Sequence, residues 1–78
     1  MSTLTNLKSN QAVDISFSNG KMTIFMEDGR EIGIPIEWFP RLREATKEQL
    51  EKWRFIGNGE GIHWEALDED LLVSELIS

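Results

Sequence analysis

His63 is the single side chain of this chain whose ordinary pKa lies near neutrality, so it is the natural place to look for proton transfer. It stands alone. There is no cysteine, no second histidine and no Gly-x-Ser-x-Gly elbow to form a nucleophile–base pair around it. A zinc site needs three or four nitrogen- or sulfur-rich ligands, and one histidine among scattered carboxylates has no such spacing. The plain reading of His63 is a structural or surface histidine, and the next is a contact for a partner. No catalytic, metal or cofactor site is expected.

Other polar clusters have equally plain explanations. Asp68-Glu69-Asp70 has the charges for a hard cation or a carboxylate dyad, but Asp68 is also a good N-cap, with two further acids where a helix dipole favours them. A helix starting there is expected to present Leu71, Leu72, Leu76 and Ile77 on one face. Gly57-Asn58-Gly59-Glu60-Gly61 lacks the Gly-x-Gly-x-x-Gly spacing of a dinucleotide cradle and carries a phosphate-repelling acid, so it reads as a turn. Trp38, Trp53 and Trp64 are expected in the core, with an indole at the rim as the alternative because tryptophan is enriched at protein–protein hot spots.

The run Gly59-x-Gly61-Ile62-His63-Trp64-x-x-Leu67-Asp68-Glu69-Asp70-Leu71 resembles the signature of prokaryotic domain-of-unknown-function family 2442. Ile34-Pro35-Ile36-Glu37-Trp38-Phe39-Pro40-Arg41-Leu42, Ala45-Thr46 and Trp53 are similar to a second motif of that family, so the resemblance covers roughly residues 12 to 77. It implies a small α+β domain. Some members are fused to a helix-turn-helix domain and others lie beside a second small protein in toxin–antitoxin-like pairs; no activity comes with the family. The chain ends soon after the acidic stretch, so no appended DNA-binding domain is expected.

Composition bounds the function further. A chain of 78 residues forms one domain burying only about 60% of its unfolded surface, too little for a deep catalytic cleft. Residues 1–11 lack periodicity and read as a mobile tail ahead of a single domain over 12–78. No apolar run is long enough to span a membrane, and the absence of cysteine fits a reducing cytoplasm. The net charge of −6 repels phosphate backbones. Arg41, Arg43, Lys47, Lys52 and Arg54 crowd the middle, interleaved with Glu44, Glu48 and Glu51, which reads as a solvated helix surface; from Glu60 onward there are six acids and neither lysine nor arginine.

The elements that must position these residues begin with a hairpin. Val13, Ile15 and Phe17 alternate with polar residues, and Asn19-Gly20 is a two-residue turn signal pairing Phe17 with Met22, Ile15 with Ile24 and Val13 with Met26. A two-residue Asp28-Gly29 loop would throw Ile32 and Ile34 to the wrong face. A three-residue Glu27-Asp28-Gly29 loop with Gly29 left-handed pairs Ile24 with Ile32 and Met22 with Ile34, and leaves Phe25 on the outer face. Pro35 ends the third strand. Ile36 to Ala45 then reads as a short helix with Trp38, Phe39 and Leu42 toward the sheet. Thr46-Lys47-Glu48-Gln49 has the capping-box pattern for a helix from Lys47 to Trp53, and Ile62-His63-Trp64 alternates as a short strand.

The fold class expected is α+β: a three-stranded antiparallel meander, two short helices, one short strand and a C-terminal helix. The function expected is a non-enzymatic protein-interaction module, antitoxin-like or regulatory. Its partner would be another protein chain, a second copy or the product of a neighbouring gene. Candidate contact residues are Phe25, His63, Trp64, Asp68, Glu69 and Asp70. A meander has two open edges of which the short strand can shield one, so a chain covering the other, as in a symmetric dimer, is expected. The alternative is a nucleic-acid-associated regulator using the basic middle helices.

Overall fold

The computed structural model describes residues 9–77. Three strands, Ala12–Ser18 (β1), Lys21–Met26 (β2) and Glu31–Pro35 (β3), form an antiparallel sheet in the order β1-β2-β3. Asn19 and Gly20 both have positive φ (53° and 75°), as a two-residue turn matched to the strand twist requires. The three-residue loop is also as expected: Gly29 has φ 98°, Met26 N–H donates to the Arg30 carbonyl, and Met22 faces Ile34 while Ile24 faces Ile32. Met22, Ile24, Met26 and Ile34 are buried and Ile32 packs against them.

One pairing differs. A bulge between Ala12 and Asp14 sets Ala12, not Val13, opposite Met26, and Val13 is 57% exposed. The cause lies in the Gly59 turn, which abuts the start of β1: Ala12 N–H donates to the Gly59 carbonyl at 2.9 Å. That close approach suits a methyl side chain, and the bulge swings the branched valine outward. The first eight residues of the expected 1–11 tail lie outside the described residues. Ser9 and Gln11 are tied to the second turn: Ser9 N–H donates to Asp28, Arg30 Nη2 donates to the Ser9 carbonyl, and Glu27 N–H donates to the Gln11 carbonyl.

After Pro35 the expected Ile36–Ala45 helix is broken in two. A 3₁₀ turn at Ile36–Trp38 is followed, across extended Phe39 (φ −120°, ψ 102°), by a single helical turn, Pro40–Arg43 (α1). Proline disfavours the helical conformation in the residue before it, and Phe39 is extended accordingly. Leu42 is buried as expected, but Trp38 points outward. Lys47–Leu50 (α2) opens with the expected capping box, Gln49 N–H on Thr46 Oγ1 and Thr46 N–H on Gln49 Oε1, but it stops well short of Trp53. The Leu50 carbonyl, which a longer helix would give to residue 54, instead accepts from the Trp64 indole at 2.9 Å.

The remaining strands correct the single-sheet expectation. Trp53–Ile56 (β4), Gly61–Trp64 (β5) and Glu69–Leu72 (β6) form a second antiparallel sheet, β4-β5-β6. The Ile62-His63-Trp64 strand is therefore the centre of its own sheet and shields no edge of the first. No helix starts at Asp68. That residue sits in the β5–β6 turn with φ 52°, and the amides after it belong to a strand paired with β5; the last helix, Val73–Leu76 (α3), begins one strand later. The architecture is α+β with two three-stranded sheets and three single-turn helices among the described residues. Both sheets, α1 and α3 feed one core, in which Ile24, Leu42, Ile62, Trp64 and Val73 are fully buried and Phe17 meets Trp64 edge-on at 6.4 Å. No helix among the described residues is long and apolar enough to cross a membrane.

Candidate functional site

The second sheet assembles part of the polar constellation. His63 on β5 lies directly opposite Asp70 on β6, and its Nδ1 is hydrogen-bonded to the Asp70 carboxylate. The ring is largely covered while the carboxylate stands in solvent. This carboxylate can orient the imidazole, but among the described residues no group of three or more histidine, cysteine or acidic side chains is placed to hold a metal ion. The pair links two neighbouring strands of the second sheet.

The other expected contact residues are dispersed. Trp64 is fully buried, its indole committed to the Leu50 carbonyl, and its surface is closed to any partner in this conformation. Glu69, opposite Trp64, is half-buried, and Asp68 projects into solvent at the turn, where Arg41 donates to the Leu67 and Asp68 carbonyls. Phe25 lies far along β2 between Asp14 and Glu31, half-buried on the outer face. Only His63 and Asp70 are brought together as a bonded pair.

A surface absent from the sequence expectations forms where β3 and its 3₁₀ turn meet β6 and α3. Trp38, 67% exposed, and Leu72, 53% exposed, flank a groove of about 530 Å³ floored by Ile34 and Leu71. Asp70 and Glu75 are the charged residues on its walls, and no lysine or arginine lines it. Reading Ile36–Ala45 as one helix places Trp38 in the core; Pro40 signals otherwise, because it disfavours a helical Phe39 and so resets the phase of the residues before it.

A second groove, of about 620 Å³, lies beside the Asn19-Gly20 turn between Phe17 and Leu50, with Arg43, Lys47 and Glu37 on its walls. The basic middle of the chain is largely spent on internal contacts: Arg41 on the β5–β6 turn, Arg43 on Glu44 at 3.4 Å and Lys52 on Glu48 at 3.7 Å.

Comparison with known proteins agrees with the motif resemblance. Residues 12–78 match the model of a family described as protein of unknown function, DUF2442. A crystal structure of a protein of unknown function from Rhodospirillum rubrum ATCC 11170, at 2.75 Å resolution, is similar with a TM-score of 0.76 and 28% identity, over 86% of this chain and 83% of that one. No curated protein matches. With the family model spanning both sheets and every motif described above, the chain belongs to the DUF2442 family.

Proposed function

We propose that this protein is a small non-enzymatic interaction module, an antitoxin-like or regulatory partner of another protein, working in the cytoplasm. The observation that carries the reading is the apolar groove bounded by Trp38 and Leu72. A tryptophan two-thirds exposed beside a half-exposed leucine leaves apolar area in water that a partner would remove, at about 25 cal/mol for each Å² covered. The polar groups favour the same reading. His63 is occupied by Asp70, and the acidic strand that carries Asp70 faces solvent as a charged rim of the kind that selects and steers a basic protein.

Sedimentation analysis over a wide concentration range, alone and with the product of the neighbouring gene, tests this. The expected result is a concentration-dependent dimer or a stoichiometric complex. A strict monomer that ignores that product contradicts the proposal. Binding to DNA or RNA that weakens steeply with salt would instead place function in the basic middle, since counterion release scales with phosphate contacts.

A further inference from the structure

We propose that Asn19 is a site of spontaneous deamidation, and that the fold shields the same dipeptide at Asn58-Gly59 from it. The sequence has both Asn19-Gly20 and Asn58-Gly59. Asparagine before glycine is the pair in which the following backbone nitrogen reaches the side-chain amide most easily, because glycine has no Cβ to block the approach. The Gly20 nitrogen gives up its proton to water and attacks Asn19 Cγ, forming the C–N bond that closes a succinimide ring. The Cγ–Nδ2 bond breaks, and the amide nitrogen leaves as ammonia with a proton taken back from water. Water then opens the ring at either carbonyl, giving an aspartyl or an isoaspartyl residue. One water is consumed, one ammonia is released, and nothing is oxidised or reduced.

Local chemistry does not separate the two pairs; their surroundings do. Asn19 and Gly20 are both exposed at the tip of the first hairpin. A Cβ built on Gly20 would meet nothing within 4 Å, so there is room for the rotation that brings Asn19 Cγ onto the Gly20 nitrogen. Asn58 is exposed as well, but Gly59 is buried against the start of β1. An added Cβ there would lie 2.1 Å from the Ala12 carbonyl oxygen and 2.9 Å from the Ala12 nitrogen. Each glycine carbonyl accepts one backbone bond, from Ile36 N–H at Gly20 and from Ala12 N–H at Gly59, so hydrogen bonding alone does not distinguish them. Packing does. Ring closure at Gly59 has to part this turn from β1, whereas at Gly20 it moves only a hairpin tip.

Charge acts in the same direction. The attacking nitrogen and the adduct it forms are anionic, and Arg43 and Lys47 line a groove together with Asn19 and Gly20, against one lining carboxylate, Glu37. Arg43 is shared with Glu44 at 3.4 Å, while Lys47 has no ion-pair partner among the described residues. At the other turn the Glu60 carboxylate folds back over Gly57, 2.8 Å from where a Cβ on that glycine would sit, and a negative charge so close opposes the anion. Conversion at position 19 adds a carboxylate to the groove that Arg43 and Lys47 line. The isoaspartyl form also lengthens the main chain in the turn that sets Phe17 opposite Met22.

The test is peptide mapping by mass spectrometry of the full chain held in warm, mildly alkaline buffer, folded and, in parallel, unfolded in denaturant. Labelling with an isoaspartyl methyltransferase identifies the isoaspartyl product. The folded chain should convert Asn19 about tenfold or more faster than Asn58, a difference in barrier of about 1.4 kcal/mol or more. In denaturant, where only local sequence acts, the two should convert at similar rates. Arg43→Gln combined with Lys47→Gln should slow Asn19 several-fold in the folded chain and leave the rates in denaturant unchanged. Equal rates at the two sites in the folded chain, or faster conversion at Asn58, overturn the proposal, because conversion would then run through unfolding or ignore the packing at Gly59. So does an Asn19 that stays intact in the folded chain while the unfolded chain converts. An Asn19 rate unchanged in the double variant overturns the part given to charge.

Discussion

The two sheets hold together by different means. In the first, order comes from turns: Asn19-Gly20 and Gly29 supply left-handed backbone, and register follows from them strand by strand. The second has left-handed turn residues too, Gly57, Gly59 and Asp68, but adds long-range anchors: the Trp64 indole on the Leu50 carbonyl, the Gly59 turn against Ala12, and Val73 in the shared core. The second sheet should therefore be the more sensitive to removal of a single distant anchor. The contrast also separates scaffold from surface. The groove lies where the chain leaves the first kind of order and enters the second.

The most disruptive test of that contrast is Trp64→Ala. It removes a fully buried ring together with its hydrogen bond and should cost about 3–5 kcal/mol, enough to unfold a domain of this size or bring it near unfolding in denaturant melts. A loss below about 1 kcal/mol would mean the second sheet does not depend on its tryptophan.

A glycine pair gives the next largest effect. Gly59 and Gly29 both have positive φ (84° and 98°), so alanine at either costs about 1–2 kcal/mol from conformation alone. A Cβ at Gly29 meets nothing within 4 Å, whereas one at Gly59 would lie 2.1 Å from the Ala12 carbonyl oxygen. Gly59→Ala should therefore destabilise clearly more than Gly29→Ala, and equal chemical-denaturation midpoints would deny that the two sheets meet through this turn.

Thr46→Ala should cost about 1 kcal/mol, the usual value of a lost N-cap, because its hydroxyl and the Gln49 side chain form a complete capping box. Asp68→Asn, at a solvent-exposed turn position, should stay within about 0.5 kcal/mol in denaturant melts.

Acid should act on the first sheet through Asp28. Hydrogen bonds from the Arg30 side chain, then from Ser9 N–H, lower the Asp28 pKa from 3.8 to about 2. A carboxylate whose folded pKa is depressed contributes stability that is complete above its unfolded value and is lost as pH falls through the folded one. Its contribution should thus be intact at neutral pH and disappear between about pH 4 and pH 2. Asp28→Asn should flatten that part of the stability–pH curve while leaving its slope near neutrality unchanged.

How much of this could be read from residue order follows the same division. The Asn19-Gly20 turn, the Gly29 loop and the Thr46–Gln49 box are local devices whose chemistry is complete within a few residues, and each is found where the sequence places it. The bulge at Val13, the end of α2 and the strand at Glu69–Leu72 depend on contacts with distant chain, from Gly59, Trp64 and β5 respectively. Asp68-Glu69-Asp70-Leu71-Leu72 supports a capped helix as well as a hairpin turn and strand when read alone; pairing with β5 decides it. The candidate site shared that fate. Asp70 is visible as an acid, but its place beside Trp38 and Leu72 exists only once both sheets are assembled.

A partner of this chain should engage the Trp38–Leu72 groove rather than the outer face of the first sheet. Sedimentation of the full chain with the neighbouring gene product, comparing Trp38→Ala with Phe25→Ala at matched folded fractions, distinguishes the two surfaces. The complex should survive Phe25→Ala and be lost or weakened about tenfold or more in Trp38→Ala. A complex indifferent to Trp38 and abolished at Phe25 would place the contact on the outer face instead.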